Sequence, residues 1–384
     1  MTEQHESGWQ SVIGSSAILS LALLGDALIY AVLPIHADAF GLTLPWVGVM
    51  LSANRFVRVL AYGYVARLTY AIGIKRICIY SAILATVSTA FYGLSDGPAV
   101  ILVARIFYGL SYAALLLVTL AYAVEVPSKV GSRVGVGRAI QRIGPIAVLI
   151  GGTWLVGWVG PTQAFVLLAI PSAISIVIAL MLPSPKAVPE SGDKMRSLEK
   201  PTTIDIIFFL LGYGVDGLFA ISITLILATE TSTAAALIGG GALLALRHVS
   251  EAVAAPLFGW FADKFGAVKV FIFSAVAIVA GFAFIALGVI VIGAVIMLIF
   301  RGAMASLGPA LIVQSMPHGK RPLGELARMQ AWRDLGAACG PLFTGYLLAY
   351  IAPDIQHAVF AAVLAAGFVS WGVAWKKHIA QTGG

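Results

Sequence analysis

Long apolar stretches separated by short polar ones run along almost the whole chain. Twelve of these stretches are long enough to cross a bilayer as a helix, which takes about 20 residues. A polar segment containing several prolines, 183–202, divides them into two sets of six, so the pattern predicts a linker between halves at 1–182 and 203–384. The predicted spans are 11–35, 43–65, 77–93, 99–124, 138–159, 163–182, 203–228, 233–262, 270–287, 289–316, 327–351 and 355–375.

The composition is that of a membrane protein. Hydrophobic residues make up 60% of the 384 residues and charged residues only 11%, against roughly 25% charged residues in soluble domains. The mean hydropathy is +0.97. We therefore predict an all-α polytopic membrane protein with twelve transmembrane helices.

Basic residues outside the spans occur on alternate connections. Arg138 and Arg142, for example, are placed where span five begins on the basic side. Neither Lys nor Arg occurs in the opposite connections 36–42, 95–98, 160–163, 229–232 and 353–357. Because cytoplasmic connections carry the basic excess, we expect a bacterial inner-membrane protein with both termini in the cytoplasm. The net charge of +7 then reflects orientation, and no nucleic-acid partner is predicted.

The two halves repeat landmarks at a constant offset of 196 residues. The repeated pairs are Arg105 and Arg301, Gly63 and Gly259, and Gly144-Pro145 and Gly340-Pro341. Three landmarks in the same order at one offset indicate duplication of a six-span unit.

Three motifs resemble those of the major facilitator superfamily. The segment from Gly259 to Lys269, which includes Asp263, is similar to the family signature between spans eight and nine. The counterpart after span two has Arg67 where the family has Asp. Arg105-Ile-Phe-Tyr-Gly109 resembles the span-four motif of proton-driven members, and Gly144-Pro145 resembles the span-five motif of exporters.

The resemblance extends over about 13–376 and implies two six-helix halves around a central site that opens to each side in turn. It implies gating roles for Asp263 and for the Gly-Pro pairs Gly144-Pro145 and Gly340-Pro341. Asp263 is expected to meet the start of span eleven near Arg328. Close packing of helices is an equally good account of the glycines, and both interpretations stay open.

Charged side chains inside the spans mark the predicted site. One guanidinium at the centre of a span costs about 2.5–3.5 kcal/mol, so such groups face a cavity, a carboxylate or a ligand. Arg55 and Arg58 share one face of span two. The residues predicted to bind substrate or couple protons are Asp26, Arg55, Arg58, Arg105, Asp216, Glu251 and Arg301. Residues expected to line the cavity are Tyr30, Asn54, Tyr112, Arg247, Gln330, Trp332, Arg333 and Asp334.

Several pairings are predicted among these charges. Asp26 and Asp216 occupy similar places in spans one and seven, so each is a candidate proton carrier. A permanent ion pair of Asp26 with Arg55 or Arg58 is the alternative.

Spacing suggests two further arrangements. Arg247 and Glu251, four residues apart, have the spacing of an intrahelical pair. Arg333 and its neighbour Asp334 point about 100° apart, so different partners are expected for them. His248 is interpreted as a lone core or cavity histidine.

The excess of arginine over acid within the spans favours an anionic group. We predict a monomeric, proton-coupled antiporter that exports a small organic anion or zwitterion, such as a metabolite, metallophore or drug. Two alternatives stay open: a proton symporter importing an organic anion, and a non-transporting receptor or assembly factor.

Because no phosphate-binding Gly-x-x-x-x-Gly-Lys loop or metal-ligand cluster is present, neither enzyme activity nor a metal or other cofactor is expected.

Overall fold

The computed structural model describes residues 2–94, 97–184, 198–316 and 322–382, and within these ranges it contains helices and no strand. Most of the predicted linker 183–202 lies outside them. The helices are α1 (Thr2–Val32), α2 (Leu44–Ile72), α3 (Ile74–Leu94), α4 (Pro98–Ala123), α5 (Val130–Val159), α6 (Pro161–Met181), α7 (Thr203–Leu211, Gly212–Phe219 and Ala220–Glu230 in succession), α8 (Thr233–Phe265), α9 (Ala267–Ala286), α10 (Ile290–Ser315), α11 (Leu323–Leu347) and α12 (Pro353–Thr382). The predicted all-α fold with twelve long helices is confirmed.

Single glycines separate the second helix of each half from the third. Gly73 ends α2 with φ of +92°, and Gly266 ends α8 with φ of +93°. Side chains with a Cβ rarely adopt this conformation, so glycine allows the chain to reverse within one residue. Each reversal lies on the side of the basic connections.

Nine helices in the described ranges are long and apolar enough to cross a membrane by length and composition. The long helices outside that set are α2, α8 and α11, and they carry Arg58, Glu251 and Asp334 in their central parts. Across the boundary between the halves, α2 packs on α11 and α5 packs on α8. The most polar helices are therefore the ones that line the interior rather than the lipid.

The two halves contact each other at the end of the molecule that carries the basic connections. They diverge toward the opposite end. A Cβ on Gly131 of α5 would overlap the carbonyl oxygen of Gly259 in α8, so the two backbones are in contact. At the other end of α5, a Cβ on Gly157 would meet no neighbour within 4 Å in the described ranges, and the same holds for Gly241, which lies on the same face of α8 as Gly259. The space between the halves thus widens away from the basic connections.

The Gly-Pro pairs bring the first and fifth helix of each half together. Gly144 of α5 lies against α1, where its N–H donates to Ser20 Oγ at 2.8 Å. Gly340 of α11 lies against α7, where a Cβ would come within 2.8 Å of Gly217 Cα. Both glycines therefore have a packing role, while their gating role remains a prediction.

Candidate functional site

A polar cavity of about 250 Å³ lies between the two halves. Helices α1, α2, α4 and α5 line it from one half, and α7, α8, α10 and α11 line it from the other. Its charged lining consists of Asp26, Arg55, Arg58, Arg142, Asp216, Arg247, Glu251, Arg301, Arg333 and Asp334. Among the described residues, six arginines thus face four acids across one space.

Arg105 of α4 lies beside this cavity, fully buried. Its Nε donates to the carbonyl oxygen of Met50 at 2.9 Å, and one terminal nitrogen donates to the hydroxyl of Tyr30 at 3.3 Å. The other terminal nitrogen pairs with Asp26. A guanidinium presents several donors in a fixed plane, so these partners hold Arg105 in one orientation behind α1.

Asp26 is held at the cavity wall by two donors to the same oxygen, Oδ1. One is Arg105, and the other is Asn54 Nδ2 at 2.8 Å. The alternative interpretation, a permanent ion pair of Asp26 with Arg55 or Arg58, is therefore wrong. Those two arginines share a face of α2 that turns toward the opposite half, away from α1.

The face of α2 that carries the arginines contacts α11. Arg55 donates to the carbonyl oxygen of Ala337 at 2.6 Å. Arg58 Nε lies 3.4 Å from Asp334 Oδ2, and the hydroxyl of Tyr62 donates to the same oxygen at 2.9 Å. These contacts join the two halves, so separation of the halves along this line requires that they break.

Asp216 lies in a widened stretch of α7. Residues Gly212–Phe219 form a π-helix, a geometry that inserts one extra residue per turn and is frequent at functional sites. Arg247 of α8 lies 2.5 Å from Asp216 Oδ1, and Arg301 of α10 lies 3.6 Å from Oδ2. Sequence reasoning missed this irregularity, for which the glycines at 212, 214 and 217 were the available signal.

Glu251 of α8 accepts two arginines. Arg301 donates to its Oε2 at 2.8 Å, and Arg142 of the other half donates to its Oε1 at 2.8 Å. The predicted intrahelical pair of Arg247 with Glu251 is wrong. Glu251 is satisfied from α10 and α5, and Arg247 turns instead to Asp216.

Each half places an arginine of its fourth helix against an aspartate of its first. Arg105 pairs with Asp26 in one half, and Arg301 contacts Asp216 in the other. The two pairs differ in their surroundings. The Arg105 side chain is completely buried, whereas Arg301 is shared between Asp216 and Glu251 at the cavity surface.

The predicted lining residues of α11 lie in three different places. Arg333 and Asp334 lie in the cavity wall, but they contact each other at 3.6 Å, against the expectation of different partners. Trp332 does not line this cavity, because its Nε1 donates to the carbonyl oxygen of Glu199 at 3.2 Å. Gln330 lies in a smaller neighbouring pocket. Tyr30 and Tyr112 line the cavity, and Asn54 contacts it through Asp26.

Asp263 binds the start of α5 rather than the start of α11. Its Oδ1 accepts the N–H of Gly131 at 2.9 Å, and its Oδ2 accepts the N–H of Ser132 at 2.7 Å. The predicted partner near Arg328 is wrong, since Arg328 pairs with Asp205 at 2.7 Å. The first turn of a helix has free N–H groups and a partial positive charge, both of which attract a carboxylate.

Arg142 is a cavity residue that sequence reasoning placed at the end of a span. Helix α5 begins at Val130, eight residues before the predicted start of span five at 138. Arg142 is therefore roughly 18 Å inside the helix. The arginines of its first turns lowered the apparent hydropathy there. Their spacing at 138 and 142, on one face just before Gly144-Pro145, was the signal.

Comparisons with known proteins agree with this geometry. The sequence model of the protein family "Major Facilitator Superfamily" matches residues 16–213 and 204–379 of this chain. The crystal structure of the human organic anion transporter MFSD10 (TETRAN) superposes with a TM-score of 0.71 at 16% identity, covering 94% of this chain and 99% of that one. The E. coli fucose:proton symporter FucP gives a TM-score of 0.73 at 14% identity, with 94% and 97% covered. No curated protein sequence matches significantly. At these identities, the structural likeness concerns the fold.

Proposed function

Because this chain belongs to the Major Facilitator Superfamily, whose members are secondary transporters, we propose that it exchanges a small organic anion or zwitterion for protons through the central cavity. The observation that supports the anionic substrate is the excess of arginine over acid in the cavity lining, six against four among the described residues. We place the basic connections in the cytoplasm of a bacterial inner membrane. We keep the halves at 1–182 and 203–384 as part of the proposal.

The charge balance favours an anion over an organic cation. The four acids of the lining are engaged by guanidinium groups, namely Arg105 with Asp26, Arg247 and Arg301 with Asp216, Arg142 and Arg301 with Glu251, and Arg58 and Arg333 with Asp334. Positive charge therefore remains after the acids are satisfied. Partly buried charge without a counter-ion is unfavourable, so a substrate carboxylate stabilises the cavity, whereas an amine would add to the imbalance.

Arg55 is the best candidate for the first contact with substrate. Its guanidinium lines the cavity and donates to a neutral group, the carbonyl oxygen of Ala337. Within the described ranges it has no carboxylate at ion-pair distance, unlike the other arginines of the lining. A guanidinium can bind a carboxylate through two parallel hydrogen bonds. A substrate carboxylate at Arg55 would gain that geometry without displacing an existing ion pair.

Proton coupling is assigned to Asp26 and Asp216. Protonation of either carboxylate removes its charge and weakens its hold on the paired arginine. A substrate carboxylate can then take the released arginine, and loss of substrate restores the aspartate pair. Protonation therefore promotes the binding of a substrate carboxylate, which couples proton and substrate in the same direction, as in symport. Antiport follows for a zwitterion, because the deprotonated aspartate can hold the ammonium group of the substrate and protonation releases it.

Import by proton symport is the second candidate. It is favoured by one observation: in this structure the halves diverge on the side opposite the basic connections, so the cavity loads from the outside under the proposed orientation. The fucose:proton symporter among the structural neighbours couples protons in this sense.

The test is flux through purified protein in proteoliposomes with an imposed pH gradient. The substrates are three molecules of similar size: a carboxylate, its neutral amide and the corresponding amine. We expect the gradient to move the carboxylate only. Movement against the proton flow indicates antiport, and movement with it indicates symport. Preferential movement of the amine contradicts an anion carrier, and binding of the carboxylate with no flux supports a non-transporting receptor.

A further inference from the structure

A second pocket lies one helical turn from the central cavity, toward the basic connections. Arg138 of α5 and Gln330 of α11 belong to it, together with Arg301 and Arg333. Arg138 precedes the cavity residue Arg142 by four residues, about 6 Å along the helix. The volume of this pocket is about 30 Å³, whereas a cavity needs roughly 10–15 Å³ to hold one water molecule. It therefore accepts a single water or a monatomic ion and excludes an organic substrate.

Arg138 is a buried guanidinium with few hydrogen-bond partners among the described residues. It is 3% exposed, and one terminal nitrogen donates to Gln141 Oε1 at 3.4 Å, a long hydrogen bond. Its Nε has no hydrogen-bond partner in the part of the chain that the structure describes. No carboxylate there lies within ion-pair distance of it. Burial makes such a charge unfavourable unless an anion accompanies it.

Gln330 supplies a second buried polar group without a hydrogen-bond partner in the same pocket, among the described residues. Its side chain is 2% exposed, and its Oε1 accepts no hydrogen bond from any described residue. A side-chain amide can present either its oxygen or its NH₂ group after a half turn. With the amide turned so that its NH₂ group takes the place of Oε1, the pocket offers Arg138 and Gln330 as two donors.

The charge count of the pocket leaves one positive charge. Its lining contains the guanidinium groups of Arg138, Arg301 and Arg333 and the carboxylates of Asp216 and Glu251. Both carboxylates are also engaged by arginines from the central cavity. The remaining walls are largely apolar, including Phe208 and Met304 of the same half, which strengthens electrostatic attraction inside.

We propose that this pocket binds one halide ion, held by Arg138 and Gln330. The bound halide neutralises Arg138 and bridges α5 to α11 beneath the cavity. The proposal rests on the second pocket alone and is independent of the substrate that the central cavity carries.

The experiment is thermal unfolding of the purified full chain in sodium chloride or bromide against sodium gluconate at equal ionic strength. Binding to the folded state raises the unfolding temperature in proportion to occupancy, so we expect a saturable rise with halide. Gln330→Glu places a carboxylate beside Arg138. We expect this variant to be stable without halide and to lose the halide-dependent rise. Arg138→Gln should weaken halide binding by about tenfold or more.

The matched control is Gln356→Glu, the same change at another buried glutamine, which donates to the carbonyl oxygen of Ile351 at 2.9 Å and lies in α12. It should keep the halide-dependent rise, as should Arg55→Gln in the central cavity. Equal unfolding temperatures in bromide and gluconate for the unaltered chain would overturn the proposal, and so would a full halide response in Gln330→Glu.

Diffraction from crystals grown in bromide locates the ion directly. An anomalous peak between Arg138 and Gln330 supports the site. A peak only in the central cavity, or a pocket filled by water with no anomalous signal, contradicts it.

Discussion

Arg142 of α5 and Glu251 of α8 meet across the boundary between the two halves, with 2.8 Å between a terminal guanidinium nitrogen and Oε1. The same carboxylate binds Arg301 of its own half through Oε2. One acid thus joins the wall of the cavity to the interface that must separate in alternating access. Occupancy of the cavity and the contact between the halves are therefore coupled through a single side chain.

Replacement of Glu251 by Gln should destabilise the protein strongly. The change leaves Arg142 without a carboxylate and leaves Arg301 with Asp216 alone, and breaking a buried ion pair costs about 3–5 kcal/mol. We expect a large fall in the unfolding temperature in detergent. The control is Glu325→Gln, because Glu325 is 42% exposed where it pairs with Arg328 and pairs of that kind contribute about 1 kcal/mol or less. Equal effects of the two changes would contradict the role given to Glu251.

Asp26→Asn should separate proton coupling from substrate exchange. The amide keeps the shape and can still accept from Asn54, but it cannot change its charge at Arg105. We expect exchange of labelled for unlabelled substrate to persist while accumulation driven by a pH gradient is lost. Asp38→Asn, in the connection between α1 and α2, is the control and should leave both unchanged. Normal gradient-driven accumulation by Asp26→Asn would end the proposal for this residue.

Arg55→Lys should weaken substrate binding although it keeps the positive charge. An ammonium is a point charge that lacks the paired donors of a guanidinium. We expect the apparent KM for a carboxylate substrate to rise about tenfold, as for a loss of about 1.4 kcal/mol. Arg67→Lys, an exposed arginine at the other end of α2, provides the same change away from the cavity. An unchanged KM for Arg55→Lys would assign Arg55 to the contact with Ala337 alone.

Gly131→Ala should shift the protein away from the arrangement described here. The added methyl group would overlap the backbone of Gly259 and crowd Asp263, so it forces α5 and α8 apart at the basic end. We expect distances between spin labels on the two halves to lengthen at that end and shorten at the other. Gly151→Ala makes the same change on the same helix, where a Cβ meets no described neighbour within 4 Å. Identical distance distributions for the two variants would show that this glycine contact does not set the conformation.

Much of the fold follows from local properties of the chain. The cost of leaving apolar segments in water, and of placing Arg55 or Arg58 in lipid, acts on each helix separately. Span positions, the repeat of Arg105 by Arg301 and the interior location of the charges were therefore predictable from the order of residues. The start of α5 was misplaced because Arg138 and Arg142 are polar inside a helix whose partners shield them.

The partners of those charges were decided by the tertiary structure. Arg58 pairs with Asp334, and Asp26 pairs with Arg105. Asp263 binds the first turn of α5. In each case candidates nearer along the chain existed. The sequence by itself determined twelve membrane-length helices, two repeated halves and a polar interior rich in arginine. Only the packing of helices distant in sequence selected each ion pair, because the strength of such a pair depends on distances that the order of residues does not specify.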